Sequence, residues 1–181
     1  FLDTNGDGIG DLRGITDEAS ILESLAISQK LGEPVLLRDA YRSLSQLAWR
    51  RGKYNEAVDA IKKWLELSEA LDDTHQLVIA LLDLIDHSLY IESGQVERQA
   101  LMARVLSYQE KVSSYHSQAE IINHKAMFAF EEGRFALSET LFREYLQFCE
   151  QTGETKRIGI AQYNLARSLR EQAKFEEAKA A

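Results

Sequence analysis

The chain has 181 residues, 45% apolar and 28% charged, with a formal net charge of −8. That is enough for one domain or a short repeat array with a buried core, while the acidic balance and the lack of a basic stripe exclude an ordinary nucleic-acid binder. One Pro argues against a many-turned β-sandwich, one Cys excludes an intramolecular disulfide, and the longest apolar run, LVIALL at 77–82, falls far short of the ~18 residues a membrane helix needs.

The first segment, FLDTNGDGIGDLRG, packs three Asp, one Asn and four Gly into fourteen residues. Asp3, Asn5, Asp7 and Asp11 stand at positions 1, 3, 5 and 9 of a D-x-N-x-D-G-x-x-D pattern, and the carbonyl of Ile9 falls at position 7. Alternate side chains converge when the backbone winds tightly, which Gly6, Gly8 and Gly10 permit. These hard oxygen ligands suit Ca²⁺. The alternative is a Gly/Asp-rich flexible tail. Position 12 holds Gly14, so the loop is no complete EF-hand. FLDTNGDGIGDLRGI resembles the calcium loop of family 13 glycoside hydrolases of the oligo-1,6-glucosidase type. The resemblance implies a structural Ca²⁺ on these five residues. It does not extend to the catalytic carboxylates, and a glycosidase fragment is the weakest functional reading.

From residue 17 onward the periodicity is helical. Thr16 is the expected N-cap of a first helix over 17–33, with Asp17 and Glu18 favourably placed in its first turn. KLGEP at 30–34 ends it, and Pro34 stands beside the next start. In 40–54, Ala40, Tyr41, Leu44, Leu47, Ala48 and Tyr54 recur at three- and four-residue spacing, as do Ala57, Ile61, Trp64 and Leu65 in 57–68. LDD at 71–73 and QTGE at 151–154 read as further turns. Four hairpin-like stretches are punctuated at Gly52, Gly94, Gly133 and Ala173, spaced 42, 39 and 40 residues apart. A period near forty with a helix on each side predicts an all-α array of hairpins over 17–181, with more than ~70% helix and no strands. The chain opens on Phe1 and stops within EEAKAA, so it is expected to be a piece of something longer.

The run YRSLSQLAWRRGKYNEAVDAIKKWLEL resembles the tetratricopeptide repeat through Tyr41, Leu44, Ser45, Ala48, Gly52, Tyr54, Ala57, Ile61 and Trp64. YNLARSLREQAKFEEA matches through Leu165, Ala166, Leu169, Phe175 and Ala178, and the third stretch through Ala126, Ala129, Gly133, Phe135 and Phe142. The second stretch departs, with Arg98 or Gln99 where a small residue belongs unless Ala100 fills the place. The first survives as its second helix alone, with Ala19 and Ala26 at the small positions. The resemblance implies a right-handed α-solenoid of antiparallel hairpins whose first helices line a concave groove for a protein or peptide. The implied groove residues are Arg42, Gln46, Trp49 and Arg50; Asp83, His87 and Tyr90; Asn123, Met127 and Phe130; and Tyr163, Arg167 and Arg170. The competing reading packs Trp49, Tyr90 and Phe130 between repeats. The longer period is similar to arrays in bacterial regulators. A cytoplasmic sensor region of a diguanylate cyclase, histidine kinase or transcription regulator is therefore the alternative function.

Catalysis finds little support. His75, His87, His116 and His124 lack partners at metal-ligand spacing, and Ser113 and Ser114 lack a nucleophile-elbow context. Cys149 reads as a small buried residue. The expectation is a non-enzymatic binding scaffold.

Overall fold

The structure, a computed structural model, describes residues 18–91 and 94–180, and these are helical apart from short turns, with no strand among them. The helices are α1 (Glu18–Leu31), α2 (Pro34–Arg50), α3 (Tyr54–Ala70), α4 (Thr74–His87), α5 (Gly94–Ser107), α6 (Tyr115–Glu131), α7 (Phe135–Thr152), α8 (Thr155–Glu171) and α9 (Phe175–Ala180). Single 3₁₀ turns follow α4 at Ser88–Tyr90 and α5 at Gln109–Lys111. The described residues fall into two compact units, the first ending at Val112 and the second starting at Ser113.

The even-numbered helices α2, α4, α6 and α8 start at Pro34, Thr74, Tyr115 and Thr155, so the repeat is 40 or 41 residues long. A left-handed residue sets the punctuation. Gly32, Gly52, Gly133 and Gly153 have φ of 66°, 71°, 74° and 70°, and Asp72 and Ala173 follow at 52° and 59°. At most of these turns the next amide reaches back over the helix end: Lys53 N donates to Ala48 O, Asp73 N to Ser68 O, Arg134 N to Ala129 O and Lys174 N to Leu169 O, at 2.8–3.0 Å. That closes the orphan carbonyls of the last turn. The turns are short, and each helix packs mainly on its sequence neighbours.

Ala173 occupies this conformation with a Cβ, which costs about 1–2 kcal/mol in the left-handed region. Ala173→Gly should therefore raise stability by about 0.5–1 kcal/mol after the entropy of the added Gly is offset. Chemical denaturation followed by circular dichroism checks this, and a loss of stability would refute the strain account.

In the first unit the helices close on Ala57, Ile61, Trp64, Val78, Ala80, Leu81, Ile85 and Val105, all fully buried. Ala48, Ser45, Ala60 and Ser68 are also buried and let the backbones approach. Arg38 is buried at the side of α2, where it pairs with Asp39 and with Asp73. In the second unit the core is Ala119, Ala126, Phe142, Tyr145, Cys149, Ala161, Leu165 and Leu169. A buried polar stitch crosses it: Ser138 Oγ donates to Ala126 O at 2.9 Å and meets Ser168 Oγ at 2.9 Å. Gln172 Nε2 donates to Phe135 O, Glu139 and Ser168 O, which ties the end of α8 to α7.

Three local expectations differ from the structure. Ala19 and Ala26 are exposed, while Ile21 and Ser28 are buried, so α1 packs through a stripe two residues further on. Gly94 is the first residue of α5 rather than a turn residue, which makes α3 and α5 start 40 residues apart. Arg98 then takes the buried place and Ala100 is exposed. Ala48, Ala57, Ala126 and Ala129, in contrast, are buried.

Candidate functional site

In the first unit the sequence candidates converge on a ring cluster. The ring of Trp49, at the end of α2, lies 4.9 Å from that of Tyr54, 4.1 Å from that of His87 and 4.7 Å from that of Tyr90. Tyr54 and Tyr90 stack at 5.2 Å. Trp49 of α2 thus meets rings from α3, from α4 and from the 3₁₀ turn after α4. Part of the cluster remains exposed, Tyr90 at 57% and Tyr54 at 37%. His87 Nδ1 donates to Asp83 O at 2.6 Å, which leaves Nε2 as the acceptor. Burial of the imidazole lowers its pKa, so the neutral form is favoured.

The remaining first-unit candidates have separate surroundings. The Arg42 guanidinium lies over the buried Trp64 ring, 5.1 Å from its centroid. Gln46 and Arg50 are exposed, and Arg50 Nε donates to Gln46 O. An open pocket of about 300 Å³ sits at the hairpin turn, lined by Gly52, Lys53, Tyr54, Asn55, Glu56 and Tyr90. Sequence reasoning took Tyr54 for a packing residue and missed this pocket, since turn residues carry no helical stripe.

In the second unit the structure gathers Phe130, Tyr163 and Arg167. The Arg167 guanidinium lies 4.5 Å from the centroid of Phe130 and 5.7 Å from that of Tyr163. Its Nη1 donates to Asn164 Oδ1 at 3.2 Å. Phe135 meets Phe130 edge-on at 5.4 Å. Tyr163 is 65% exposed and Arg170, two turns on, is exposed. Asn123 and Met127 are half-buried on α6, and Met127 packs against the core.

The buried and paired titratable groups have separate surroundings. Burial pushes the Cys149 thiol up and keeps it protonated. Arg157 pairs with Glu120 and Glu154 at 3.1 and 3.0 Å, and its guanidinium faces the His116 ring. His124 Nδ1 donates to Glu120 O. Lys174, Gln172 and Arg143 surround Glu139 and hold its carboxyl below the usual range. Among the described residues no three His, Cys, Asp or Glu side chains gather as a metal site. The calcium-loop candidates Asp3, Asn5, Asp7, Ile9 and Asp11, and the cap Thr16, lie outside the described residues. No described helix is long and apolar enough to cross a membrane.

Comparison with known proteins bears on the fold. No family model matches the chain, and no curated protein matches it. Solved structures do match, 38 chains in number. Among them is the crystal structure of BtubC (BKLC) from P. vanneervenii, with a TM-score of 0.70 over 94% of this chain and 70% of that one. Identity to it is 17%, a likeness of fold alone.

Proposed function

We propose that each unit is a short stretch of right-handed, tetratricopeptide-like solenoid and that the chain is a scaffold binding a protein or peptide. The observation that carries this is the solvent-facing aromatic surface at Trp49, Tyr54 and Tyr90, matched by Phe130, Tyr163 and Arg167 in the second unit. Large exposed rings and Arg beside polar groups have the composition of an interface hot spot. Repeat spacing and small residues at the helix contacts support the repeat class. The alternative, the regulatory region of a larger cytoplasmic bacterial signalling protein, would use the same surfaces on a partner domain.

Octapeptides selected from a random display library on the whole chain test this reading. Selected peptides should lose binding by about 2 kcal/mol on Tyr90→Ala or Tyr163→Ala. Lys63→Ala, in an exposed ion pair with Glu66 on α3, should leave it unchanged. Peptides that ignore both Tyr substitutions would overturn the groove reading.

The Asp/Gly-rich loop is proposed to hold Ca²⁺ through Asp3, Asn5, Asp7, Asp11 and the Ile9 carbonyl. The alternating oxygen donors of the sequence support it, and the missing twelfth-position Glu predicts modest affinity. Asp7→Ala should abolish Ca²⁺ uptake in calorimetry and leave helicity unchanged. No heat at millimolar Ca²⁺ with the unsubstituted chain would leave the stretch a flexible tail.

A further inference from the structure

The α1–α2 pair repeats the α7–α8 pair position by position. Gly32 and Gly153 both close a helix in the left-handed conformation, and Glu33 and Glu154 follow them as N-caps. In the same register, buried Ile21, Ser28 and Ala40 correspond to buried Phe142, Cys149 and Ala161. The two pairs differ in what stands before them. Tyr115, the first residue of α6, meets the Phe148 ring of α7 at 4.5 Å, and its hydroxyl donates to Gln151 Oε1. Arg157 of α8 reaches His116 and Glu120, the second and sixth residues of α6, at 2.6 and 3.1 Å, and Tyr145 donates to Glu120 at 3.4 Å. Thus α6 lies antiparallel to α7, with its first turn beside the last turn of α7. Among the described residues no helix precedes α1.

The register that pairs Gly32 with Gly153 puts Ser24, Ile27, Lys30 and Leu36 where α7 and α8 carry Tyr145, Phe148, Gln151 and Arg157. Tyr145 is buried and Phe148 and Arg157 are half-buried, whereas Ser24 is exposed and Ile27 and Leu36 are 50% and 48% exposed. Leu31 and Val35, on either side of the Gly32 turn, are exposed as well. The footprint of a preceding helix is therefore present and open, and its polar member, Arg157, is replaced by an aliphatic one. Apolar residues on more than one side of α1 are the pattern of a helix covered on both sides. Charge sets the direction of the occupant. Exposed Lys30 and Glu23 are the i+3 and i−4 neighbours of Ile27. A helix seated as α6 is seated on α7 brings its first turn to Lys30 and its later turns towards Glu23. An acidic start complements the first and suits the helix dipole of the occupant.

We infer that the exposed face made by α1 and the start of α2 docks an amphipathic helix of a different protein, antiparallel to α1. Its second and sixth residues are apolar and rest on Leu36, and its first turn is acidic and lies beside Lys30. This face is at the opposite end of α2 from Trp49 and does not depend on the ring cluster.

A labelled peptide with the α6 sequence, YHSQAEIINHKAMFAFE, preceded by Asp, supplies the probe in two forms. The polar form keeps His and Glu at the second and sixth places of the α6 sequence, and the apolar form has Leu at both. In fluorescence anisotropy on the whole chain, the apolar form should bind at least about tenfold more tightly than the polar form. Leu36→Glu, at an exposed position, should weaken the apolar form at least about tenfold with melting unchanged. Leu36→Arg, which restores the residue of α8, should reverse the preference. Lys30→Gln should weaken the apolar form less, and only at low salt. Equal binding of the two forms, apolar binding that ignores Leu36→Glu, binding lost on Tyr90→Ala instead, or no binding by either form would overturn the inference. A chain that self-associates in sedimentation velocity, and stops doing so on Leu36→Glu, would give the face to a second copy and overturn it too.

Discussion

Trp64→Ala should cost about 3–5 kcal/mol, the largest loss available from a single side chain in the first unit. Trp64 is the bulkiest fully buried residue and sits among the small residues at which the helices approach. Its removal leaves a cavity that Ala57, Ala60 and Ser68 are too small to fill. It also takes away the ring on which the Arg42 guanidinium rests. Trp64→Phe should behave quite differently. The indole N–H is buried without an acceptor, and an unmet buried donor costs about 1–3 kcal/mol. Phe retains most of the volume and sheds that donor, so its loss should stay below about 1.5 kcal/mol. Urea titrations followed by far-ultraviolet circular dichroism measure both. Equal losses for the two variants would show that the site depends on the indole itself rather than on filled space.

Asp73→Ala should cost about 2–4 kcal/mol, although its side chain is one-third exposed. One carboxylate oxygen caps α4 by accepting from Gln76 N at 3.1 Å, and the other accepts from Arg38 at 2.7 Å. Loss of a cap costs about 1 kcal/mol. The remainder comes from Arg38, whose side chain is only 10% exposed and would be left with Asp39 alone. Breaking one side of a buried pair costs more than the pair contributes, because the charge stays behind. Asp73→Asn keeps the cap and loses the charge, so it should fall between wild type and Ala. If Asn matches Ala, the cap contributes nothing; if Asn matches wild type, the ion pair does not.

The helices were legible because their signals are local. Gly52 and Gly133 stop a helix by their own conformational freedom, and Ala48, Ala57 and Trp64 recur at the spacing of one buried face. The same signals misled where a residue type serves two purposes. Alanine favours any helix position, so Ala19 and Ala26 gave no report of which face of α1 is buried. Glycine can open a helix as well as end one, as Gly94 does. The candidate site was legible only as a set of positions. That Trp49 touches Tyr54 and Tyr90, or that Arg167 lies on Phe130, depends on residues 37 and 41 positions apart or on a turn, and no periodicity encodes such meetings.

The left-handed residue that ends most of these helices has a consequence for how the chain can change over time. A helix carries its angular phase forward, so one inserted residue would rotate every later side chain by about 100°. A turn that reverses direction on a single residue erases that memory. The helix α7 has 18 residues where α6 and α8 have 17, and the buried faces on both sides are undisturbed. Substitutions and single-residue insertions are therefore absorbed helix by helix, constrained only by a small residue at each crossing and a tolerant residue at each reversal. Such an architecture places few demands on sequence while the helical packing persists, so two chains of this fold need share little identity.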